Sequence, residues 1–554
     1  MASSDDKLFL RKATGLVRTW GLLDILAFNS WINPCTGMFT SFVLIYAFFW
    51  PGANLFLGIL IGTIGATFQT LVYAMFVSTM PRAGGEYVWM SRTLPWPIIG
   101  YVLPLVGWCI VLPIWCVLEA VGLSGLYLQP MAAALGNMDA ALWFMTPDGV
   151  FMSSIVVIVV IVLVTVAGMK WCGRLMSSSY VVGGLISAIV ITIVLLSFTQ
   201  SQFIAAYDSF YAKNLGISGA YQAVIDEAKV AWQWPIYGLG EWTWAPTLSF
   251  VALLAYANAW SMWGAPLYGE VRGASEMKVS FLSMGGSNLL NTGLLVILLL
   301  AWIRLVGYDF FQASNLLYGT FVFSGFDPTA ASLLYQGTKV WPMLWPSPLV
   351  VVLQITGNAF ITIVLGILVT YYALVLWCLG YLPAIRILFA MAFDRVLPSP
   401  VAGLYTTRKI PIVGLAVIVA FGLANAALYI YVPGFVTLTM MGTVVLVISF
   451  IATSLTAIVL PRRLPALWNA SVASKYKIGR IPLVSIAGII SSFFFGWIIY
   501  KWISDPTFGV AVPISAAYFL AYYIGAIILY LVMKSYRKRQ GIDINLIHRE
   551  VPVE

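Results

Sequence analysis

Apolar residues fill most of this chain in long runs, separated by shorter stretches that contain polar and basic residues. The hydrocarbon core of a bilayer is about 30 Å thick, so a helix needs about 20 apolar residues to cross it. The pattern predicts twelve membrane-spanning helices, near residues 20–49, 54–79, 98–128, 150–169, 179–199, 246–268, 282–306, 349–378, 410–431, 434–460, 483–503 and 511–533.

Composition agrees with a membrane protein, because 61% of the 554 residues are apolar and only 9% are charged. A soluble core has no use for so much apolar surface, whereas a bundle of lipid-facing helices does. We expect residues 1–554 to form a single all-α membrane domain. The five cysteines lie in or beside apolar runs and are interpreted as buried packing residues, and no spacing typical of a metal site is present. His548, the single histidine, is predicted to lie in a cytosolic tail at 535–554.

Basic residues are distributed unequally between the two predicted sides of the membrane. Five of the 29 lie on one side, and the other 24 lie on the side that holds both termini. The five are Lys213, Lys229, Arg304, Lys339 and Lys501. This bias predicts cytoplasmic termini in a multi-pass protein of the cell membrane. The net charge of +9 therefore reflects topology and lipid contact and does not indicate a nucleic-acid partner.

Two of the predicted spans contain residues that interrupt helices. The first contains NSWINPCTG, with Asn33, Pro34 and Gly37, and the sixth contains YANAWSMWGAP, with Asn258. Proline removes a backbone donor, and glycine tolerates the dihedrals of an unwound segment. Freed backbone groups can line a watery cavity but cannot face lipid. Five helices separate the two spans, so interrupted segments at matching places favour a transporter built from inverted repeats. A proline kink that only improves packing is the alternative.

Two polar segments carry motifs of a known family. MPRAGGEYVWMSR (80–92) follows span two and RILFAMAFDRVLP (386–398) follows span eight, both on the predicted inner side. Together they resemble the amino acid–polyamine–organocation (APC) superfamily of permeases. The resemblance implies a LeuT-like fold of two inverted five-helix repeats, at about 18–200 and 246–431, with two further helices at about 434–534.

The same resemblance implies a substrate site between the interrupted spans one and six. Cys35, Thr36 and Gly37 match the family's glycine-rich motif, although Cys35 replaces a glycine. By that match the amides of Thr36 and Gly37 would bind a substrate carboxylate, and backbone carbonyls around Asn33 would help to bind the amine. In span six the matching residues are Tyr256, Ala257, Asn258, Ala259 and Trp260.

Glu119, in span three, is the carboxylate that the pattern places near mid-depth. It could take up a coupled proton or bind a cationic group, or it could be a protonated structural residue. The sequence therefore leaves coupling to H⁺ or Na⁺ open, and we expect no cofactor. Charged residues at the inner helix ends could pair to close an inner gate, or could be ordinary topological charge. They are Glu86, Glu270, Asp394, Arg82, Arg92, Arg272, Arg386 and Arg395.

Taken together, these features predict a secondary active transporter that moves amino acids by alternating access. A polyamine or other organic amine permease or exchanger of the same fold is the alternative. A channel is less favoured because it would need a continuous polar lining or charged rings. We do not expect an enzyme, since no phosphate-binding loop, metal-ligand cluster or nucleophile motif is present.

Overall fold

A computed structural model describes residues 16–35, 49–231, 234–323, 344–404, 410–432, 437–508, 510 and 513–551. The first half contains α1 (Leu22–Phe28), α2 (Leu55–Thr79), α3 (Glu86–Thr93), α4 (Pro97–Ala134), α5 (Met138–Trp143), α6 (Pro147–Val166), α7 (Met169–Leu196), α8 (Gln200–Leu215), α9 (Ala220–Asp226) and α10 (Trp244–Asn258). The second half contains α11 (Met277–Val306), α12 (Tyr308–Phe323), α13 (Pro348–Thr356), α14 (Ala359–Leu379), α15 (Leu382–Phe393), α16 (Ile412–Tyr431), α17 (Thr437–Arg463), α18 (Pro465–Ala470), α19 (Leu483–Ser504), α20 (Pro513–Arg539) and α21 (Ile544–Ile547).

Strand structure is confined, in the described part, to a two-stranded antiparallel ribbon of β1 (Lys477–Ile478) and β2 (Ile481–Pro482). Ten helical segments in the same part are long and apolar enough to cross a membrane. They are α2, α4, α6, α7, α11, α14 continued by α15, α16, α17, α19 and α20. The chain is therefore an all-α, multi-pass membrane protein.

Two of the twelve predicted spans are not among these ten. The span near 20–49 lies partly outside the described residues, which omit 36–48. The span near 246–268 leaves its α-helix at Asn258 and continues as short 3-10 turns. Both are the spans in which the sequence predicts an interruption.

The predicted span at 349–378 is placed wrongly. The chain ends α13 at Thr356 and begins a new helix at Ala359. Gly357 has a φ of +58°, which a residue with a side chain rarely adopts, and the Asn358 side chain accepts the amide of Ile361 at 3.2 Å. The sequence signal for this break is a glycine followed by an asparagine that can cap the next helix. The span consequently begins at 359 and continues through Phe393.

Close packing joins α2 to α10. A Cβ added at Gly58 would lie 2.6 Å from the Phe250 ring, and one at Gly62 would lie 3.0 Å from the backbone of Ala255. These two glycines, four residues apart, therefore let the helices approach closely.

The helix α4 changes its winding within the bundle. It forms a π turn at Leu105–Ile110 and a 3-10 turn at Leu112–Trp115 before returning to α-helix at Cys116. Pro113 lies in that turn and lacks the amide that a regular helix would use. The irregular segment carries Trp108 and Trp115, and Glu119 follows one turn later.

Helices also lie outside the spans, on the predicted outer side. In the sequence, Tyr221, Val224, Ile225, Ala228 and Trp232 recur at helical spacing, which predicts an amphipathic helix there. The first four are buried, in α9 or in the π turn that follows it, which confirms the prediction for the described residues. The sequence also predicts a short helix that opens at Asp327-Pro328 and closes at Gly337. That segment and Trp232 lie outside the described residues. The sequence analysis did not predict α8 and α12, although Phe203, Tyr207 and Tyr211 in α8 recur at helical spacing and are buried.

Residues at the C-terminus fold back against the bundle. His548, which the sequence places in a cytosolic tail, is only 3% exposed. Its Nε2 lies 3.3 Å from the Tyr87 hydroxyl, and the Glu550 carbonyl accepts a hydrogen bond from Arg92. The tail is thus attached to the segment that carries the first family motif.

Candidate functional site at the two interrupted helices

In the first interrupted span, α1 ends at Phe28 and residues 29–35 form turns. The Asn33 side chain accepts the Cys35 amide at 2.9 Å and donates to the Asn291 side chain at 2.9 Å. The described structure therefore gives Asn33 a side-chain role in addition to the backbone contact that the sequence predicts. Thr36 and Gly37, the predicted carboxylate ligands, lie outside the described residues.

In the second interrupted span, α10 ends at Asn258 and Ala259–Met262 form a 3-10 turn. The Asn258 amide group donates to Thr63 on α2 at 2.7 Å. Its side-chain oxygen and the Ser261 hydroxyl are fully buried and have no hydrogen-bond partner within the described structure. Of the predicted residues here, Ala259 and Trp260 are buried, and the side chains of Tyr256 and Ala257 are outside the description.

The two interrupted segments contact each other directly. The Asn29 side chain accepts the Gly264 amide at 2.8 Å and donates to the Ser283 carbonyl at 3.0 Å. A Cβ added at Gly264 would lie 2.5 Å from the Ile25 side chain, so only glycine fits this approach. The structure thereby brings together the segments that the sequence predicts as one site.

Tryptophan rings fill the space between these segments. Trp260 lies 5.9 Å from Trp31, 4.6 Å from Trp115 and 4.4 Å from Trp263 between ring centroids. From the sequence, Trp31 stands out only because Asn29-x-Trp31 recurs as Asn258-x-Trp260, and Trp115 and Trp263 carry no such signal. Among 22 tryptophans no spacing singles these out, because they come from three separate helices. The ring faces offer an apolar and cation-attracting surface at the interruption.

A polar network from neighbouring helices contacts the first interrupted segment. Asn291 on α11 donates to the Ser30 hydroxyl at 3.0 Å and also binds Asn33. Tyr372 on α14 donates to the Ser30 carbonyl at 2.9 Å, and Tyr127 on α4 donates to the Cys35 carbonyl at 2.9 Å. Carbonyls freed by the unwinding are therefore satisfied by hydroxyl groups of neighbouring helices, as the membrane interior requires.

Glu119 lies on α4, one helical turn beyond Trp115, and is 3% exposed. Its carboxylate accepts the Tyr381 hydroxyl at 2.8 Å. Within the described residues no Lys or Arg side chain forms an ion pair with it. A carboxyl group without a cation at this depth is costly when charged, so the site suits a group that carries a proton or meets a cationic ligand.

At the predicted cytoplasmic end, the interrupted segments are tied together. The Thr19 and Trp20 amides donate to the Glu270 carbonyl at 2.9 and 3.1 Å, and the Arg272 amide donates to the Trp20 carbonyl at 2.9 Å. The Arg386 guanidinium forms a bidentate ion pair with the Glu270 carboxylate, with both side chains almost fully buried. The ends of spans one and six are therefore closed against each other here.

The predicted inner charges separate into pairs and exceptions. Arg92 forms a buried ion pair with Asp394, to which the Tyr87 hydroxyl also donates at 2.7 Å. Together with Glu270 and Arg386, these residues join both family motifs to the inner helix ends. Glu86 forms no ion pair with a described Lys or Arg, so it stands apart from the expected gate.

A cavity of about 30 Å³ lies on the other side of the first interruption. Pro34, Cys35, Tyr127 and Leu349 are among the residues that line it. This volume holds about one or two water molecules and is too small for an amino acid. This cavity would therefore have to widen before it could hold an amino acid.

Within the described residues, no group of three or more His, Cys, Asp and Glu side chains is placed to hold a metal ion. No protein-family model matches the chain, and no curated protein matches it either. The family resemblance therefore depends on the two motifs and on the interrupted spans.

Proposed function

We propose that the protein is a secondary active transporter of the amino acid–polyamine–organocation type, with amino acids as its substrates. The observation that carries this proposal is the direct contact between two interrupted helices, made by Asn29 and Gly264. Interrupted helices that meet in the bundle are the usual substrate site of such transporters. The interruption leaves backbone N–H and C=O groups available to a substrate, whereas a continuous helix would pair them with each other.

The chemistry of these segments fits a zwitterion. Asn258 and Ser261 present buried oxygen atoms without hydrogen-bond partners in the described structure. A buried polar atom without a partner costs about 1–3 kcal/mol, so an ammonium group that donates to these oxygens would be stabilised. By the family resemblance, the amides of Thr36 and Gly37 would bind the carboxylate, since unpaired backbone N–H groups favour negative charge.

Alternating access requires that the two ends open in turn. The Trp20–Arg272 and Arg386–Glu270 contacts would hold the predicted cytoplasmic end closed. Opening this end would break them as spans one and six separate. Glu119 would take up the coupled proton, because its buried carboxyl group has a hydroxyl partner and no described cation.

An organic amine permease or exchanger is the second candidate. The tryptophan cluster around Trp260 favours an amine substrate, since the face of an indole ring carries partial negative charge and attracts cations. An amine without a carboxylate would leave the predicted amides of Thr36 and Gly37 unpaired. We therefore place amino acids first.

Uptake into proteoliposomes tests the proposal. Purified protein should accumulate radiolabelled amino acids in a saturable way, and an excess of the unlabelled substrate should compete. Protein-free vesicles provide the background. Uptake that rises linearly with concentration, together with single-channel currents in planar bilayers, would instead identify a channel.

A further inference from the structure

Glu86 begins the short helix α3, directly after the paired glycines of the first family motif. Gly84 and Gly85 have φ values of +93° and +41°, which residues with side chains rarely adopt. A Cβ at Gly85 would lie 3.0 Å from the backbone nitrogen of Pro266. The glycine pair thus turns the chain tightly against the end of span six and directs Glu86 into the bundle.

Three donors from three other helices surround the Glu86 carboxylate. Tyr73 on α2 and Ser449 on α17 donate through their hydroxyl groups, and Trp108 on α4 donates through its indole nitrogen at 3.0 Å. The Glu86 residue is fully buried. This set of contacts, which we term the Glu86 cage, is made of neutral groups alone.

The arginines of α3 and α15 form ion pairs with other carboxylates. Arg92 on α3 pairs with Asp394, and Arg386 on α15 pairs with Glu270. Tyr73 on α2 is the titratable group that contacts the Glu86 carboxylate. Glu270 and Asp394 each have an arginine as a partner. Glu86, in contrast, has only neutral donors among the described residues.

Burial and hydrogen bonding act on Glu86 in opposite directions. Removal from water disfavours the charged carboxylate, and the three donors favour it. Burial dominates and raises the pKa of Glu86 from 4.5 to about 7. A proton is consequently bound or released at this site near neutral pH. In the protonated form, the Tyr73 or Ser449 hydroxyl can reverse its role and accept a hydrogen bond from the carboxyl O–H group.

The cage contacts the interrupted span six through Trp108. The Trp108 ring lies 4.2 Å from the Trp263 ring, and Trp263 donates to the Gly380 carbonyl at 2.8 Å. Movement of span six away from α4 would therefore disturb the donors of Glu86. Water that entered would then solvate the carboxylate and favour loss of its proton.

We infer that Glu86 is a second proton-binding site, occupied while the predicted cytoplasmic end is closed and emptied when that end opens. The inference rests on the proposed transport function. On opening, the carboxyl O–H bond breaks, the proton passes to water on the cytoplasmic side, and the carboxylate remains. Glu86 would thereby couple proton release to the separation of span six from α4.

Infrared spectroscopy of the purified full chain tests the site without any transport measurement. The carboxyl C=O band of a buried acid should disappear with a midpoint near pH 7 as the pH rises. Glu86→Gln should lack this titration, and Glu119→Gln should retain it. Tyr73→Phe should move the midpoint upward, because one donor to the charged form is lost.

The same titration in Glu86→Gln as in the unaltered chain would overturn the inference. If Glu86→Gln fails to fold, an unchanged midpoint in Tyr73→Phe would overturn it equally. Failure of the transport proposal would give a different result. If the protein takes up no amino acid but the titration still depends on Glu86, the proton site stands and its role in coupling is lost.

Discussion

Arg386 and Glu270 form a bidentate ion pair, with Nε to Oε1 at 2.5 Å and Nη2 to Oε2 at 3.2 Å. Both side chains are at most 4% exposed. The pair joins the end of span six to the second family motif at the predicted cytoplasmic end. The Glu270 carbonyl also accepts hydrogen bonds from the Thr19 and Trp20 amides. Glu270 therefore contacts both the second family motif and the start of span one.

Removal of one partner of this pair should destabilise the protein strongly. Arg386→Ala leaves the Glu270 carboxylate buried and unpaired, which should cost about 3–5 kcal/mol. The double variant Arg386→Met with Glu270→Gln should lose less, since no charge remains. The exposed Lys229–Asp309 pair supplies the control, because Lys229→Ala should cost about 1 kcal/mol or less. Thermal unfolding in detergent measures all three, and equal losses for Arg386→Ala and Lys229→Ala would contradict the assignment.

The stability of the chain should depend on pH through Glu86. Its pKa is about 7 in the folded protein and 4.5 as the ordinary value, so the folded state binds the proton more tightly. The resulting stabilisation is complete below about pH 4.5 and is lost as the pH rises through 7. The melting temperature should therefore fall as the pH rises from about 4.5 to about 7 and level off above that, and Glu86→Gln should reduce the fall. An identical pH profile in the variant would show that Glu86 does not titrate there.

Attachment of the C-terminus should depend on His548. His548→Ala removes the contact with Tyr87 and should expose residues 540–551 to trypsin, which cleaves at the basic residues around them. Leu546→Ala is the matched control, because Leu546 lies in the same segment and is 57% exposed. Cleavage should be several-fold faster in His548→Ala than in Leu546→Ala, since protection follows the population of the attached form. Equal rates would mean that the histidine does not hold the tail.

Glu119 should be required for coupling rather than for binding. Glu119→Gln keeps the side-chain shape and a partner for Tyr381 but cannot carry a proton across the pH range. Uptake driven by a pH gradient should be lost in this variant, and exchange of internal for external substrate should persist. Gradient-driven uptake with unchanged pH dependence would assign Glu119 a structural role.

Much of the architecture was predictable because the membrane imposes simple rules on length and hydropathy. The predicted α2, α6 and α19 agree with the structure to within about three residues, since their apolar runs end at polar or turn-forming residues. The interruption of span six was predictable from Asn258, Gly264 and Pro266 for the same kind of reason, namely that these residues oppose a continuous helix.

The contacts within the site were not predictable. Asn29, Ser283 and Gly264 meet because three distant segments fold together, and no local pattern encodes that meeting. The cage of Glu86 is likewise formed by Tyr73, Trp108 and Ser449 from separate helices. The sequence therefore named Glu86 only among charges that could close an inner gate or be ordinary topological charge. Burial of His548 was missed because a short polar tail carries no signal for where it docks.

The central claim is that an amino acid binds between the two interrupted helices, and ligand-dependent thermal stabilisation of the purified chain tests it most directly. A panel of amino acids should contain one that raises the melting temperature, and its decarboxylated amine should not. Asn258→Leu should abolish the shift, whereas Asn425→Leu, at a buried asparagine on α16, should preserve it. Asn258→Leu also removes the hydrogen bond between Asn258 and Thr63. Thr63→Val removes that bond but keeps Asn258, so it controls for loss of the bond alone. An amine that binds as tightly as the amino acid, or an unchanged shift in Asn258→Leu, would contradict the account.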